Sequence, residues 1–238
     1  MTILKKVFLL LFLFILISCK SVKEVRVVNQ YISDDEIEKI DERQLKPNSI
    51  SLVEDNNDTI FVNLQTYSNN FVLDMKYATS DNFLNEKVYD CAKCYLRLKT
   101  VKSLINANND FLEKGYKIKI FDCYRPLDIQ KRMWKIISNP EYVADPSKGS
   151  IHNRGGAVDI TLVDSKGNEL DMGTSFDFFG IEASHDYQNL SEEVKNNRKL
   201  LKEVMLKNNF KSFDSEWWHY NLKDSSLDNL SNFKWKCN

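Results

Sequence analysis

The chain carries almost no net charge. Its 33 basic and 34 acidic residues in 238 leave −1. A nucleic-acid partner favours a basic patch or stripe, and none lies near the motifs below. No apolar run is long enough to cross a bilayer. The longest, residues 7–17, has 11 residues, against the roughly 20 that a spanning helix needs. No internal repeat and no second domain is visible. Cys91-x-x-Cys94 is a lone pair. A structural zinc site would need a second pair, and a thioredoxin-like motif would need a strand before it and a helix after it. Histidine is the scarcest resource: His152, His185 and His219 are all there is.

What remains is an ordinary globular composition, 42% hydrophobic and 28% charged, and length for one sizeable domain or at most two small ones. Lys5 and Lys6 precede the apolar run, which ends in Leu16-Ile17-Ser18-Cys19. A basic start and a short apolar core read as a signal peptide, and the ending resembles a bacterial lipobox. Residues 1–18 are therefore expected to be a lipoprotein signal peptide, with Cys19 as the lipidated residue. Residues 19–58 are polar, without a sustained period, and read as a tether. The protein is expected to be exported and membrane-anchored, facing the periplasm or the surface of a bacterial envelope. Export permits disulfides. Cys91, Cys94, Cys123 and Cys237 allow three connectivities, and the expectation is a local Cys91–Cys94 bridge or free thiols.

The domain is read as residues 59–238. Residues 59–64 are β-prone. Phe71, Leu73, Met75 and Tyr77 alternate with Val72, Asp74 and Lys76, which predicts a half-buried strand. Residues 95–114 fit a helix with Leu98, Val101, Ile105 and Leu112 on one face and Gly115 as its stop. Residues 117–121 read as a strand running into Asp122-Cys123-Tyr124-Arg125-Pro126. Pro126 suits the first turn of a helix carrying Ile129, Met133 and Ile136. Residues 157–163 read as a strand that sets Asp159 on the face opposite Val158, Ile160 and Leu162. Residues 191–208 suit a helix capped by Ser191, and residues 217–220 are β-prone. The fold class expected is α+β, a single domain with a mostly antiparallel central sheet flanked by helices.

Two stretches carry chemistry. In one, residues 148–159, His152 and Asp159 stand seven positions apart with Gly155-Gly156 between them. Glycines are poor helix interiors, so a turn there can bring the imidazole and the carboxylate together. In the other, Glu216-Trp217-Trp218-His219-Tyr220, His219 can supply a third ligand. Two nitrogens and one oxygen with an open position form a catalytic zinc site, one ion per chain. A regular strand would send Glu216 and His219 to opposite faces. Glu216 is therefore expected in a turn or bulge just before the strand, placed as general base to a metal-activated water. Arg125, between strand and helix, is the candidate oxyanion stabiliser. Trp217 and Trp218 read as packing. His185 has no partner at motif spacing and reads as structural or supporting.

Ser150-x-His152-x-x-Gly155-x-Ala157-x-Asp159 with Glu216-x-x-His219 resembles the M15 zinc peptidases. The likeness is nearer to their D-alanyl-D-alanine dipeptidase (VanX-type) branch. It extends to residues 74–79, Asn82-Phe83, Asp122 to Pro126 and residues 171–177. The resemblance implies the zinc D,D-peptidase, hedgehog-like fold. It implies hydrolysis of D-alanyl-D-alanine or a similar small dipeptide, with His152, Asp159 and His219 as ligands. Glu216 is then the base and Arg125 the oxyanion stabiliser, while Ser150 and Asp177 bind the substrate termini. It also implies a small closed cavity. The alternatives are a peptidoglycan D,D- or L,D-carboxypeptidase and a non-catalytic surface binding protein. Members of the family are often cytoplasmic, whereas this chain reads as exported.

Overall fold

The computed structural model describes residues 57–140 and 142–237. The expected leader, Cys19 and all but the last two residues of the tether lie outside the described residues. The sheet is built around β5, Ala157–Val163, whose run of β-branched and small residues is buried throughout. On one side it pairs with β4, Lys117–Asp122, and on the other with β7, Glu216–Leu222. β2, Val72–Leu73, lies parallel to β4 at one edge, and β6, Phe210–Phe213, closes the other. The order is β2-β4-β5-β7-β6, and every pairing except β2–β4 is antiparallel. A separate ribbon joins β1, Phe61–Asn63, to β3, Tyr95–Arg97. The described residues form one α+β domain with a mostly antiparallel sheet, as the sequence implied.

Helices α1, Leu98–Leu112, and α3, Glu192–Lys207, pack on each other and on the sheet, while α2, Leu127–Ile136, follows β4. The start of α3 follows its sequence signals. Ser191 Oγ accepts from the Val194 N–H, and Glu192 and Glu193 sit at the positive end of the helix dipole. Residues directly opposite on paired strands share a face. Val158 and Tyr220 therefore join the core on one side, and Asp159 and His219 face together on the other.

Three expectations are corrected. The strand predicted over residues 71–77 is only Val72–Leu73; a 3-10 turn, Lys76–Ala78, follows and carries Tyr77 into the core. Its alternating apolar residues are buried by separate contacts rather than by one pleated surface. The helix predicted over residues 95–114 begins three residues late, because Tyr95–Arg97 pairs with β1. Its buried stripe is Leu98, Val101, Leu104, Ala107 and Phe111, while Leu112 is exposed. Gly115 does follow the helix at φ +82°, a conformation glycine adopts without strain.

The third correction concerns cysteine. Cys91 bonds Cys237 and Cys94 bonds Cys123, so there is neither a local bridge nor a free thiol among these four. Cys94 lies at the start of β3 and Cys123 at the end of β4, where the Tyr124 N–H donates to the Tyr95 carbonyl and draws the segments together. The Cys91–Cys237 bridge ties down a C-terminal strap. Phe233 stacks on Phe61 and Trp235 on Tyr95.

Candidate metal centre and active-site cleft

The turn expected between His152 and Asp159 is present. A 3-10 turn, His152–Arg154, ends at Gly155, which has φ +73°. A Cβ at Gly155 would stand 2.4 Å from the Phe61 ring, and one at Gly156 would stand 2.3 Å from Ser225 Cβ. Both glycines are therefore fixed by close approach as well as by the turn. The loop is knitted to the end of β4. The Arg125 N–H donates to the His152 carbonyl, and Asn153 Nδ2 donates to the Arg125 carbonyl.

Register does the rest. Asp159 on β5 lies directly opposite His219 on β7. The β4–β5 ladder slips at Phe121, so Asp122 also pairs with Asp159. Asp122, Asp159 and His219 thus form a row across three strands. His219 Nδ1 is 2.9 Å from Asp159 Oδ1 and 3.2 Å from His152 Nε2, and His152 Nε2 is 3.3 Å from Asp159 Oδ2. Donors at about 2.0–2.2 Å from a tetrahedral ion stand roughly 3.4 Å apart. The observed spacings, measured to the two oxygens of Asp159, lie within about half an ångström of that, so these three side chains could hold a metal ion.

The outward nitrogens are also occupied. His152 Nδ1 donates to the Cys123 carbonyl at 2.7 Å, and His219 Nε2 meets Asn221 Oδ1 at 2.9 Å. Burial by itself would raise the Asp159 carboxyl; the two histidines outweigh it and hold it well below the usual carboxylate range. Burial would lower His219, but its bond to Asp159 raises it.

Glu216 opens β7, and the ladder beside it is broken: Ser212 pairs with Tyr220, while the next residue, Phe213, pairs with Glu216. The irregularity expected from the three-residue spacing is there, although Glu216 is within the strand rather than before it. Its Oε2 lies 3.9 Å from His219 Nδ1. Burial raises its pKa, with Asp159 adding to the rise and His219 opposing it.

Arg125 is buried against the Tyr77 ring, 5.1 Å from its centroid. Its Nε and Nη2 donate to Asp122 Oδ2, and Nη1 donates to Gln130 Oε1. Three of its five N–H groups are thus engaged. Asp122 is itself held by the Tyr89 hydroxyl and the Cys123 N–H. Asp177, at φ +59°, accepts from the Tyr77 hydroxyl at 3.0 Å. Burial, reinforced by Asp159, pushes its carboxyl well above the ordinary range. Ser150 Oγ is buried without a hydrogen-bond partner.

The catalytic, metal-binding and substrate-binding residues read from the sequence line one cleft of about 550 Å³: Ser150, His152, Asp159, Asp177, Glu216, His219 and Arg125. Phe83, Tyr142 and Phe179 rim it, Phe179 lying 4.9 Å from Phe83 and 4.2 Å from Tyr142. Sequence reasoning missed Tyr77, Asp122, Gln130 and Asn221. Asp122 had a signal, as a carboxylate at a strand end three residues before Arg125. Asn221 had one too, two residues after His219 and so on the same strand face. Tyr77 lay in residues 74–79, to which the resemblance extends, with no role attached to it, and Gln130 had no signal. His185 stands apart from the cleft, beside Tyr220.

A family model described as D-ala-D-ala dipeptidase, Peptidase_M15, matches residues 57–235. The chain belongs to the M15 peptidase family. M15 peptidases are metal-dependent, and the His-Asp-His group fits that dependence. A D-alanyl-D-alanine dipeptidase of Escherichia coli K12 is 35% identical over 71% of this chain and 87% of its own length. One of Enterococcus faecium is 30% identical over 66% of this chain and 88% of its own. A solved structure of the LdcB LD-carboxypeptidase is 21% identical with a TM-score of 0.37, covering 56% of this chain and 62% of that one. This M15 member is a peptidase, and its four cleft residues of highest chemical interest, His152, Asp159, Glu216 and His219, all fall inside the matched span.

Proposed function

We propose that this peptidase is a zinc-dependent D,D-dipeptidase that splits D-alanyl-D-alanine into two molecules of D-alanine. The observation that carries the reading is the largely buried His152–Asp159–His219 group with Glu216 against its edge. Two imidazoles and one carboxylate are a donor set that suits zinc. Bound there, zinc would supply Lewis acidity to water and to the scissile carbonyl.

The protein groups divide the remaining work. Glu216, its pKa raised by burial, takes the proton from the attacking water and returns it to the leaving amine. Water thereby adds its oxygen to the carbonyl carbon as the C–N bond breaks. Arg125 keeps two N–H groups beyond those held by Asp122 and Gln130, and these stabilise the developing oxyanion. Burial, with Asp159 adding to it, pushes the Asp177 carboxyl up, and pairing with the substrate ammonium favours its charged form. Ser150 Oγ, without a protein partner, donates to the substrate carboxylate. The names of the relatives support the substrate.

Export and anchoring through Cys19 complete the proposal, with residues 1–18 as leader, 19–58 as tether and 59–238 as catalytic domain. Two disulfides support an oxidising compartment. Outside the cytoplasm, dipeptide released by wall turnover is the fitting substrate. The test is release of D-alanine by purified zinc-loaded protein from D-alanyl-D-alanine and from a stem pentapeptide. Activity on the dipeptide is expected. Activity on the pentapeptide alone would make the protein a carboxypeptidase instead.

A further inference from the structure

Two histidines face each other across the site, and they present different nitrogens to it. His152 offers Nε2, because its Nδ1 donates to the main-chain carbonyl of Cys123. His219 offers Nδ1, because its Nε2 meets a side chain, the Oδ1 of Asn221, at 2.9 Å. The first arrangement is set by the backbone. The second depends on one replaceable residue.

We infer that Asn221 is a positioning residue that fixes the metal-competent tautomer and ring orientation of His219. This rests on the metal-site reading above. Asn221 follows His219 by two positions on β7, so the two side chains share a strand face. Across the ladders it is paired with Ala157 and Lys211, neither of which offers a side-chain acceptor. An amide oxygen can only accept. It therefore holds a proton on Nε2, so that Nδ1, which stands 2.9 Å from Asp159 Oδ1, is the nitrogen left to give up its own proton and offer a lone pair to an ion among the three side chains. With the amide reversed, its NH2 would face Nε2, the proton would move to Nδ1, and the ligand lone pair would be lost. Partners of this kind orient metal-binding histidines, and their removal costs about 10–100-fold in metal affinity. The partner here is neutral, which fixes the ring without adding a carboxylate to a site already holding Asp159 and Glu216.

The test is zinc affinity, measured by chelator competition on the full chain, with the visible spectrum of the cobalt(II)-substituted protein as a second readout. Asn221→Leu, which keeps the size and removes the acceptor, is expected to bind zinc about 10–100-fold more weakly and to alter the cobalt spectrum. Asn221→Asp, which keeps an acceptor in place, is expected to restore binding to at least the wild-type level. Should Asn221→Leu fail to fold, Asn221→Ala carries the comparison. Wild-type affinity and spectrum in the variant lacking the acceptor would overturn the inference, as would an Asn221→Asp variant no better than Asn221→Leu. His219→Ala separates the two levels. If it loses zinc while Asn221→Leu does not, only the role of Asn221 fails; if it keeps zinc, the metal-site reading fails with it.

Discussion

Asp159 and His219 are sixty residues apart in sequence and directly opposite each other in the sheet, with His219 Nδ1 2.9 Å from Asp159 Oδ1. A one-residue slip between β5 and β7 would send one of them to the helix-covered face. The buried apolar partners on that face, Val158 and Tyr220, hold the register, so packing on one side of the sheet sets the geometry on the other.

The Cys94–Cys123 bridge sits beside that geometry, because the carbonyl of Cys123 holds His152 Nδ1. Replacing both cysteines with serine is expected to lower stability by about 2–4 kcal/mol and to weaken metal binding. Urea denaturation and chelator competition measure the two effects. Replacing Cys91 and Cys237 should destabilise the C-terminal strap and leave metal affinity closer to wild type.

Asp122 is fully buried and neutralises Arg125. Asp122→Ala leaves a buried guanidinium unpaired, and a loss of about 3–5 kcal/mol is expected. Gln130→Ala removes one hydrogen bond to the same charge and should cost about 1.5–3 kcal/mol. Equilibrium unfolding of the two variants should rank them in that order.

His185 gives a pH signature independent of the cleft. Burial, with Lys202 and Arg198 adding to it and Asp214 and Asp186 opposing, lowers its pKa from 6.5 to about 4. The folded state therefore binds fewer protons than the unfolded state between those values. The stability this residue contributes is complete above pH 6.5, falls as the pH drops, and is gone below about 4. In His185→Gln the loss of melting temperature between pH 7 and pH 4.5 should be smaller than in the wild type.

Much of this was legible because local signals and tertiary needs agree. Residues 157–163 hold four β-branched residues and no glycine or proline, Ser191 is an N-cap in sequence and in structure, and Gly155-Gly156 mark a turn that the chain makes. What escaped depends on partners distant in sequence. Residues 95–97 form a strand only because β1 lies beside them. Tyr77 lines the cleft only because a 3-10 turn carries it under Arg125. Disulfide connectivity is set by where the strand ends meet, which four cysteine positions do not encode. Asn221 is the exception, since its partner His219 lies only two residues away on β7.

The proposed hydrolysis depends on Glu216 acting as a base next to a metal held by His152, Asp159 and His219. The direct measurement is the rate of D-alanine release from D-alanyl-D-alanine by zinc-loaded wild type and Glu216→Gln, with the zinc content of each determined on the same samples. Full zinc occupancy is expected in both, with a rate about 10²–10⁴-fold lower in the variant. Hydrolysis by Glu216→Gln at the wild-type rate, with zinc in place, would contradict it.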